Sequence, residues 1–303
     1  MQTPQTQAKN LATALGLNVD LYLKREDLHP YGSHKGRSIP IMIEKHQKEG
    51  WESFCLSSSG NAALAAIYTI KELNNHRHSG APLHSGGKTP TLPIKLYIFV
   101  GKHIDQHKLE RLRQTTGNDV NIKIEMVDAP KRAAFQMDKD FKAKNLRQSN
   151  DDTALLGYET LADELGEIKN LSAIFIPTSS GTTAQALYQE FLTLDSIPQI
   201  HIVQTPACHP IVKNTEPTGP STATAIVDKT AFRKKAVREA IQKTKGAGWI
   251  ATDQDIAEIK KLVKETEGID ISSNSALSVA GLKLALQKNW QFNGPVACLI
   301  TGE

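Results

Sequence analysis

Leu21-Tyr-Leu-Lys-Arg-Glu-Asp-Leu-His-Pro-Tyr-Gly-Ser-His-Lys35 is the stretch from which the rest of the chain is best read. It opens as a short apolar strand, passes through a charged turn and a Pro/Gly corner, and delivers one lysine to the start of a helix. A lysine so placed lies near the positive end of the helix dipole. That position disfavours its ammonium form and helps supply the neutral amine that a Schiff base requires. Alone, Lys35 reads more readily as an ordinary exposed helix-start lysine; the segments around it overturn that reading.

Strands alternate with helices for most of the length, which predicts a three-layer α/β protein with mostly parallel sheets. Strands are expected at Asp20–Leu23, Ser53–Ser57, Ile94–Val100, Ile122–Val127, Ala173–Pro177, Gln199–Gln204 and Pro295–Thr301. Helical periods fall at Ser38–Glu49, Ala62–Leu73, Lys108–Gln114, Ala129–Lys144, Thr160–Leu165, Thr182–Thr193, Ile256–Thr266 and Ser275–Gln287. Residues Asn74 to Pro93, rich in Gly, Pro, Ser and His, are expected to form an irregular surface excursion. Composition softens again at Arg147-Gln-Ser-Asn-Asp-Asp-Thr, which places a smaller lobe at residues 29–150 and a larger one at 1–28 with 151–303.

A chain of 303 residues suffices for two lobes with cores of their own, and its net charge of +4 is mild. Lys and Arg are interleaved with acidic residues, as in Ile256-Ala-Glu-Ile-Lys-Lys-Leu-Val-Lys-Glu, so nucleic acid is not an expected partner. No run approaches the length of a membrane span. The start, Met1-Gln-Thr-Pro-Gln-Thr-Gln, carries neither a basic leader nor an apolar stretch, which predicts a cytoplasmic protein. Cys55, Cys208 and Cys298 are widely separated and read as buried thiols. No CxxC or HExxH spacing occurs, and His76, His78 and His84 read as loop histidines, so no metal is expected.

Three strand ends carry residues suited to chemistry. Phe54-Cys-Leu-Ser runs into Ser58-Ser59-Gly60-Asn61-Ala62 and a helix of small residues, a junction that presents hydroxyls and unpaired N–H groups to an anion such as a carboxylate. Capping of the helix by Ser and Asn is the other reading of these residues. Ala173-Ile-Phe-Ile-Pro ends in Thr178-Ser-Ser-Gly-Thr-Thr183 before another helix, and five hydroxyls around one glycine exceed what a cap needs; they suit a phosphate. The turn is neither GxGxxG nor a Walker loop, so no nucleotide is specified. Val296-Ala-Cys-Leu-Ile-Thr301 places one hydroxyl at its carboxyl end, able to bond a neutral ring nitrogen. In Gly268-Ile-Asp-Ile-Ser-Ser-Asn-Ser-Ala-Leu-Ser-Val-Ala-Gly-Leu, small residues suit close packing, and Ser272 and Ser273 are the candidate cleft residues.

Taken in order, these motifs resemble those of the fold-type II pyridoxal-phosphate enzymes, which include threonine synthase, threonine and serine dehydratases, cysteine synthase and the tryptophan synthase β subunit. The resemblance runs from Thr3-Pro4 to Thr301. Within the family, threonine synthases are most similar, through Val203-Gln-Thr-Pro-Ala-Cys-His-Pro-Ile-Val, Ser221-Thr-Ala-Thr-Ala-Ile, the Gly268 segment, Gly101-Lys102 and Gly157-Tyr-Glu-Thr. The resemblance implies two α/β/α lobes, pyridoxal 5'-phosphate as cofactor, a small amino acid as substrate and a homodimer. By it, Lys35 would carry the cofactor through a Schiff base, Asn61 would lie beside the ring's phenolic oxygen, and Ser179, Ser180, Gly181, Thr182 and Thr183 would hold the phosphate. Thr301 would face the pyridine nitrogen, and Ser58, Ser59, Gly60 and Ala62 would cradle the substrate carboxylate.

The reaction implied is conversion of O-phosphohomoserine to threonine and phosphate, with Lys102, His103 and Lys108 as candidate phosphate contacts or else a solvated helix start. Several positions depart from the threonine synthase pattern. His34 and Gly36 flank the lysine where that enzyme usually has Phe and Asp, His34 being similar to the tryptophan synthase β subunit. The phosphate turn is poorer in Gly and Asn, Ser272-Ser273 replace a common Glu-Pro, and the chain stops two residues after Thr301, which reads as a short enzyme or an absent tail. The alternatives are a threonine/serine dehydratase, a cysteine synthase-like β-replacing enzyme and a non-catalytic binding member of the fold. Dehydratases more often carry Cys or Ser at the position of Thr301. A nicotinamide dehydrogenase is disfavoured because no Gly-rich dinucleotide turn follows the first strand.

Overall fold

Apolar runs bounded by Ser, Thr, Gly and Pro become strands, and 3.6-residue periods become the helices between them. A computed structural model of the chain describes residues 2–79, 92–193, 196–213 and 215–302. The strands are β1 (Gln5–Gln7), β2 (Leu21–Arg25), β3 (Ser53–Ser57), β4 (Lys95–Gly101), β5 (Ile122–Val127), β6 (Lys144–Asn145), β7 (Ala173–Pro177), β8 (Gln199–Gln204), β9 (Gly248–Ile250) and β10 (Val296–Ile300). The helices are α1 (Lys9–Leu15), α2 (Lys35–Lys48), α3 (Asn61–Ser79), α4 (Gln106–Thr116), α5 (Pro130–Lys139), α6 (Thr153–Leu156), α7 (Glu159–Gly166), α8 (Thr182–Phe191), α9 (Lys234–Lys243), α10 (Asp253–Glu267) and α11 (Ser273–Gln287). They form two units, Met1–His34 with Gln148–Glu303, and Lys35–Arg147.

In the larger unit the described strands form one sheet in the order β1-β2-β10-β7-β8-β9, parallel except for β1 against β2. Alternate side chains of each strand enter opposite cores. Leu21, Leu23, Phe175, Val203, Cys298 and Ile300 pack with α1, α10 and α11, for example on Leu11, Ile259 and Leu277. Ile174, Ile176, Ile200, Ile202 and Leu299 pack on the other face with Leu161 of α7, Leu187 of α8 and Val237 of α9. Two apolar faces per sheet make the near-continuous hydrophobic strands of a buried parallel sheet.

The smaller unit has the strand order β5-β4-β3-β6, all parallel. Cys55 and Phe99 pack against Ala134 of α5 and Ala143, while Phe54, Leu56, Leu96 and Ile98 fill the opposite face, where α3 lies on β4. All three cysteines are buried thiols. Burial pushes the Cys55 thiol up to about 12 and also raises that of Cys298, so neither is a thiolate near neutrality.

Several boundaries differ from expectation for local reasons. Helix α2 begins at Lys35 rather than Ser38 and contains Pro40, whose missing N–H leaves one bond of the first turns unmade. Helix α3 continues to Ser79, so His76 and His78 lie on a helix rather than a loop; residues 80–91, with His84, fall outside the described residues. Helix α5 stops at Lys139 because Phe141 turns left-handed (φ 55°), and Lys144 enters a strand. Strands β1, β6 and β9 and helices α1, α6 and α9 were not expected. β1 is a polar edge strand without an apolar period, and α9 buries only Val237 and Ala240.

Candidate active site

Strands β7 and β10 pair from Ala173–Val296 to Phe175–Cys298, and their ladder stops there, although both strands run two residues further. Between their carboxyl ends the parallel sheet opens, the place where such sheets take ligands. Thr301 follows β10 and is 4% exposed. The turn Thr178–Thr183 follows β7 and leads into α8, whose first-turn N–H groups and dipole favour an anion.

The hydroxyls of that turn divide their work. Thr178 Oγ1 donates back to the Ile176 carbonyl (2.8 Å). Ser179 Oγ accepts from Val227 N (3.0 Å) and Asp228 N (3.1 Å), which leaves its own hydrogen to donate. Thr182 Oγ1 donates to Gln148 O (3.2 Å) and so accepts from Ser180 Oγ (2.9 Å). Gly181 caps α8 at φ 92°, and a Cβ there would stand 2.6 Å from Val237 Cγ2. A larger residue here would therefore collide with the side chains packed behind the turn, and the first-turn N–H groups together with the Ser and Thr hydroxyls make a donor set that fits a phosphate. Gly181→Ala should cost about 2–4 kcal/mol through left-handed strain and overpacking. Thermal unfolding of the apo-protein measures it, and an unchanged midpoint would contradict the crowding.

Arg233, buried at the start of α9, holds this region from behind. Its guanidinium donates to Gln148 O (2.8 Å), Asp151 O (2.8 Å), Asp152 Oδ1 (2.8 Å) and Gln185 Oε1 (3.1 Å). Nothing local marked this arginine, because its partners lie 48 to 85 positions away in the chain.

In the smaller unit, α2 runs into β3 through a short turn, and α3 leaves β3 just as briefly, so both helices start at the carboxyl edge of the parallel strands. Lys35, half-buried, is the first residue of α2. At the start of α3, Ser58 Oγ accepts from Gly60 N (3.3 Å), and Gly60 O takes the first helical bond from Leu64 N (3.1 Å). Ser58 therefore shapes the turn rather than capping the helix, and Ser58, Ser59, Gly60, Asn61 and Ala62 are all half-buried at the helix start.

Ser59 also lines a cavity of about 370 Å³ with Gly101, Lys102, His103, Ile104, Asp105, Lys108 and Asp128. Its two carboxylates are engaged, Asp105 Oδ1 by the Lys108 N–H (3.1 Å) and Asp128 by Lys102 Nζ (2.9 Å). Asp128 was not visible as a site residue in the sequence. Ser272, an expected cleft residue, caps α11, and Ser273 is its first residue. Among the described residues no cluster of His, Cys, Asp and Glu could hold a metal, and no helix is long and apolar enough to cross a membrane.

The sequence matches the pyridoxal-phosphate-dependent enzyme family over residues 1–74 and 91–302. It is 28% identical over 312 residues to threonine synthase of Mycobacterium tuberculosis, covering 99% of this chain and 80% of that protein. It is 27% identical over 327 residues to threonine synthase of Methanocaldococcus jannaschii, covering 99% and 74%. The fold is similar to that of a processed threonine deaminase isoform 2 from Solanum lycopersicum (TM-score 0.78, 17% identity, 100% and 79% covered). It is also similar to maize serine racemase (TM-score 0.79, 15% identity, 100% and 88% covered). With an opened parallel sheet, a glycine-centred turn of hydroxyls and a lysine-headed helix already in place, this whole-length match makes the chain a member of the fold-type II pyridoxal-phosphate-dependent enzymes.

Proposed function

We propose that the chain is a threonine synthase-like enzyme that converts O-phosphohomoserine and water to threonine and phosphate. Similarity to threonine synthases over 99% of the chain supports this reading. The observation that carries it is the cavity in which Ser59, two residues before the start of α3, shares a wall with Lys102, His103 and Lys108. A substrate with an α-carboxylate and a phosphate needs two anion-binding places a few atoms apart. The start of α3 offers one and this cavity the other. The carboxylate of Asp128 then occupies Lys102 in place of a phosphate and yields it on binding.

Pyridoxal phosphate, when bound, supplies an electron sink for charge left on a substrate carbon. In this reading Lys35 is the amine that carries the cofactor and, once released, a nitrogen that takes and returns the substrate's α-proton. Ser179, Ser180, Thr182, Thr183 and the backbone at Gly181 hold the cofactor phosphate. Asn61 orients the ring from the side of its phenolic oxygen. Thr301 would offer the ring nitrogen a neutral hydroxyl, which would leave the ring less electron-withdrawing than a carboxylate partner would. Ser58, Ser59, Gly60 and Ala62 orient the substrate carboxylate. A homodimer and a cytoplasmic setting belong to the same proposal.

The test is an assay of the purified protein with O-phosphohomoserine, threonine, serine and O-acetylserine, following phosphate and 2-oxo acid. Phosphate release with threonine formation is the expected result. Oxo-acid formation without phosphate release would assign a dehydratase instead. Lys102→Ala and Lys108→Ala should each raise KM for O-phosphohomoserine about three- to tenfold with kcat nearly unchanged, the modest size expected of exposed charges.

A further inference from the structure

We propose that His34, through its Nδ1–H, is a positioning residue that fixes the end of β10 and with it Thr301. The inference rests on the reading in which Lys35 and Thr301 both face the cofactor. Two donors from one residue converge on one acceptor: the Thr301 carbonyl receives His34 N at 3.2 Å and His34 Nδ1 at 3.0 Å. A carbonyl oxygen only accepts, so Nδ1 carries the hydrogen, and in the ring's neutral form this contact selects the Nδ1–H tautomer. Tyr158, fully buried, stacks near the imidazole with ring centroids 6.1 Å apart.

The strand end needs such a fastening because β7 no longer supports it. The β7–β10 ladder stops at Cys298, three residues before Thr301. Beyond it β2 alone pairs the strand, as far as Ile300 with Arg25, and the residues after Ile300 are held by the 32–34 turn and by α11. Ser33 and Gly302 form an antiparallel bridge, and Ser275 Oγ takes the Gly302 N–H (3.1 Å) while Gly302 O accepts from Ser272 Oγ (2.6 Å). Gly302 sits at φ 94°, where a Cβ would lie 2.3 Å from Gly32 O, so the turn and the strand end are in closest approach here. An apolar residue at position 34 would keep only the backbone bond. His34 supplies the second one, and it does so from the position next to Lys35 in the chain. The Thr301 carbonyl thereby carries two hydrogen bonds, and its peptide plane cannot rotate without breaking both.

Three variants separate this role from simple packing. His34→Phe keeps a ring beside Tyr158 and removes the donor; it should weaken cofactor binding and lower kcat by about tenfold each, with KM for the substrate unchanged. His34→Asn can place its Nδ2 where Nδ1 stands and should recover to within about threefold of the parent, whereas His34→Gln, which reaches the Nε2 position, should not. In the apo-protein, nitrogen NMR of the histidine rings should show His34 protonated at Nδ1 near pH 8. An Nε2–H tautomer, a rescue by Gln but not Asn, or a Phe variant equal to the parent would each overturn the proposal. Failure of borohydride to trap the cofactor on Lys35 would instead strike the functional reading, and the apo-protein tautomer would stand apart from it.

Discussion

Replacement of Lys35 by alanine should abolish the covalent attachment of the cofactor proposed above and lower turnover by about a thousandfold or more. Lys35 is the first residue of α2, half-buried, and alanine is the best helix former, so the variant keeps its fold and loses only the amine. Lys35→Arg should fail equally, since a guanidinium supplies no neutral nitrogen at working pH. Borohydride reduction of the parent protein followed by peptide mapping should place the trapped cofactor on the peptide that carries Lys35. A trapped adduct on another lysine, or full turnover in the alanine variant, would remove the foundation of the proposed mechanism.

Acid should destabilise the larger unit through His201, a residue far from this chemistry. The ring lies on β8 with no exposure, stacked on Phe175 at 4.4 Å between centroids. Its Nδ1 accepts from Ala247 N and Trp249 Nε1, both at 3.2 Å, and its Nε2–H donates to Gln199 Oε1 at 3.0 Å. The imidazole is therefore neutral and satisfied, and burial pushes its pKa down to about 3 from an ordinary 6.5. Above pH 6.5 neither the folded nor the unfolded state binds the proton, and stability is complete. Below it the unfolded chain gains a proton that the folded one refuses. Stability then falls by about 1.4 kcal/mol per pH unit, about 5 kcal/mol by pH 3. His201→Asn, whose Oδ1 can replace Nδ1 as acceptor, should lose stability on folding but show a shallower decline between pH 6 and pH 4. Parallel declines for the two proteins in denaturant unfolding would show that His201 does not titrate as described.

Much of the fold was legible because its signals are local. Ser53–Ser57, Ile122–Val127, Ala173–Pro177 and Gln199–Gln204 emerged as expected, since each is an apolar run closed by a turn residue. The two helix starts, expected at Ala62 and Thr182 and found at Asn61 and Thr182, were legible for the same reason: a strand, a glycine and a run of small residues lie within ten positions. Strand β1, Gln5–Gln7, was not, because an edge strand gains its identity from the neighbour it pairs with and not from its own side chains. Ser272 and Ser179 show the limit at single residues. Both were visible as hydroxyls at turns, yet Ser272 caps α11 and reaches Gly302, and Ser179 receives two N–H groups from Val227 and Asp228.

Residue types and their short-range periods were enough to establish a parallel α/β chain, a lysine heading one helix and a hydroxyl turn heading another, because backbone preference and burial period act over a few residues. The partnership of His34 with Thr301, separated by 267 positions, and the hold of Arg233 on Gln148 exist only after both cores of the larger unit have packed. A hydrogen bond needs its two atoms within about 3 Å, and no local rule brings such distant residues together. Side chains that fasten the strand ends are therefore chosen by the packed sheet, while the strand ends themselves were already written in the order of the amino acids.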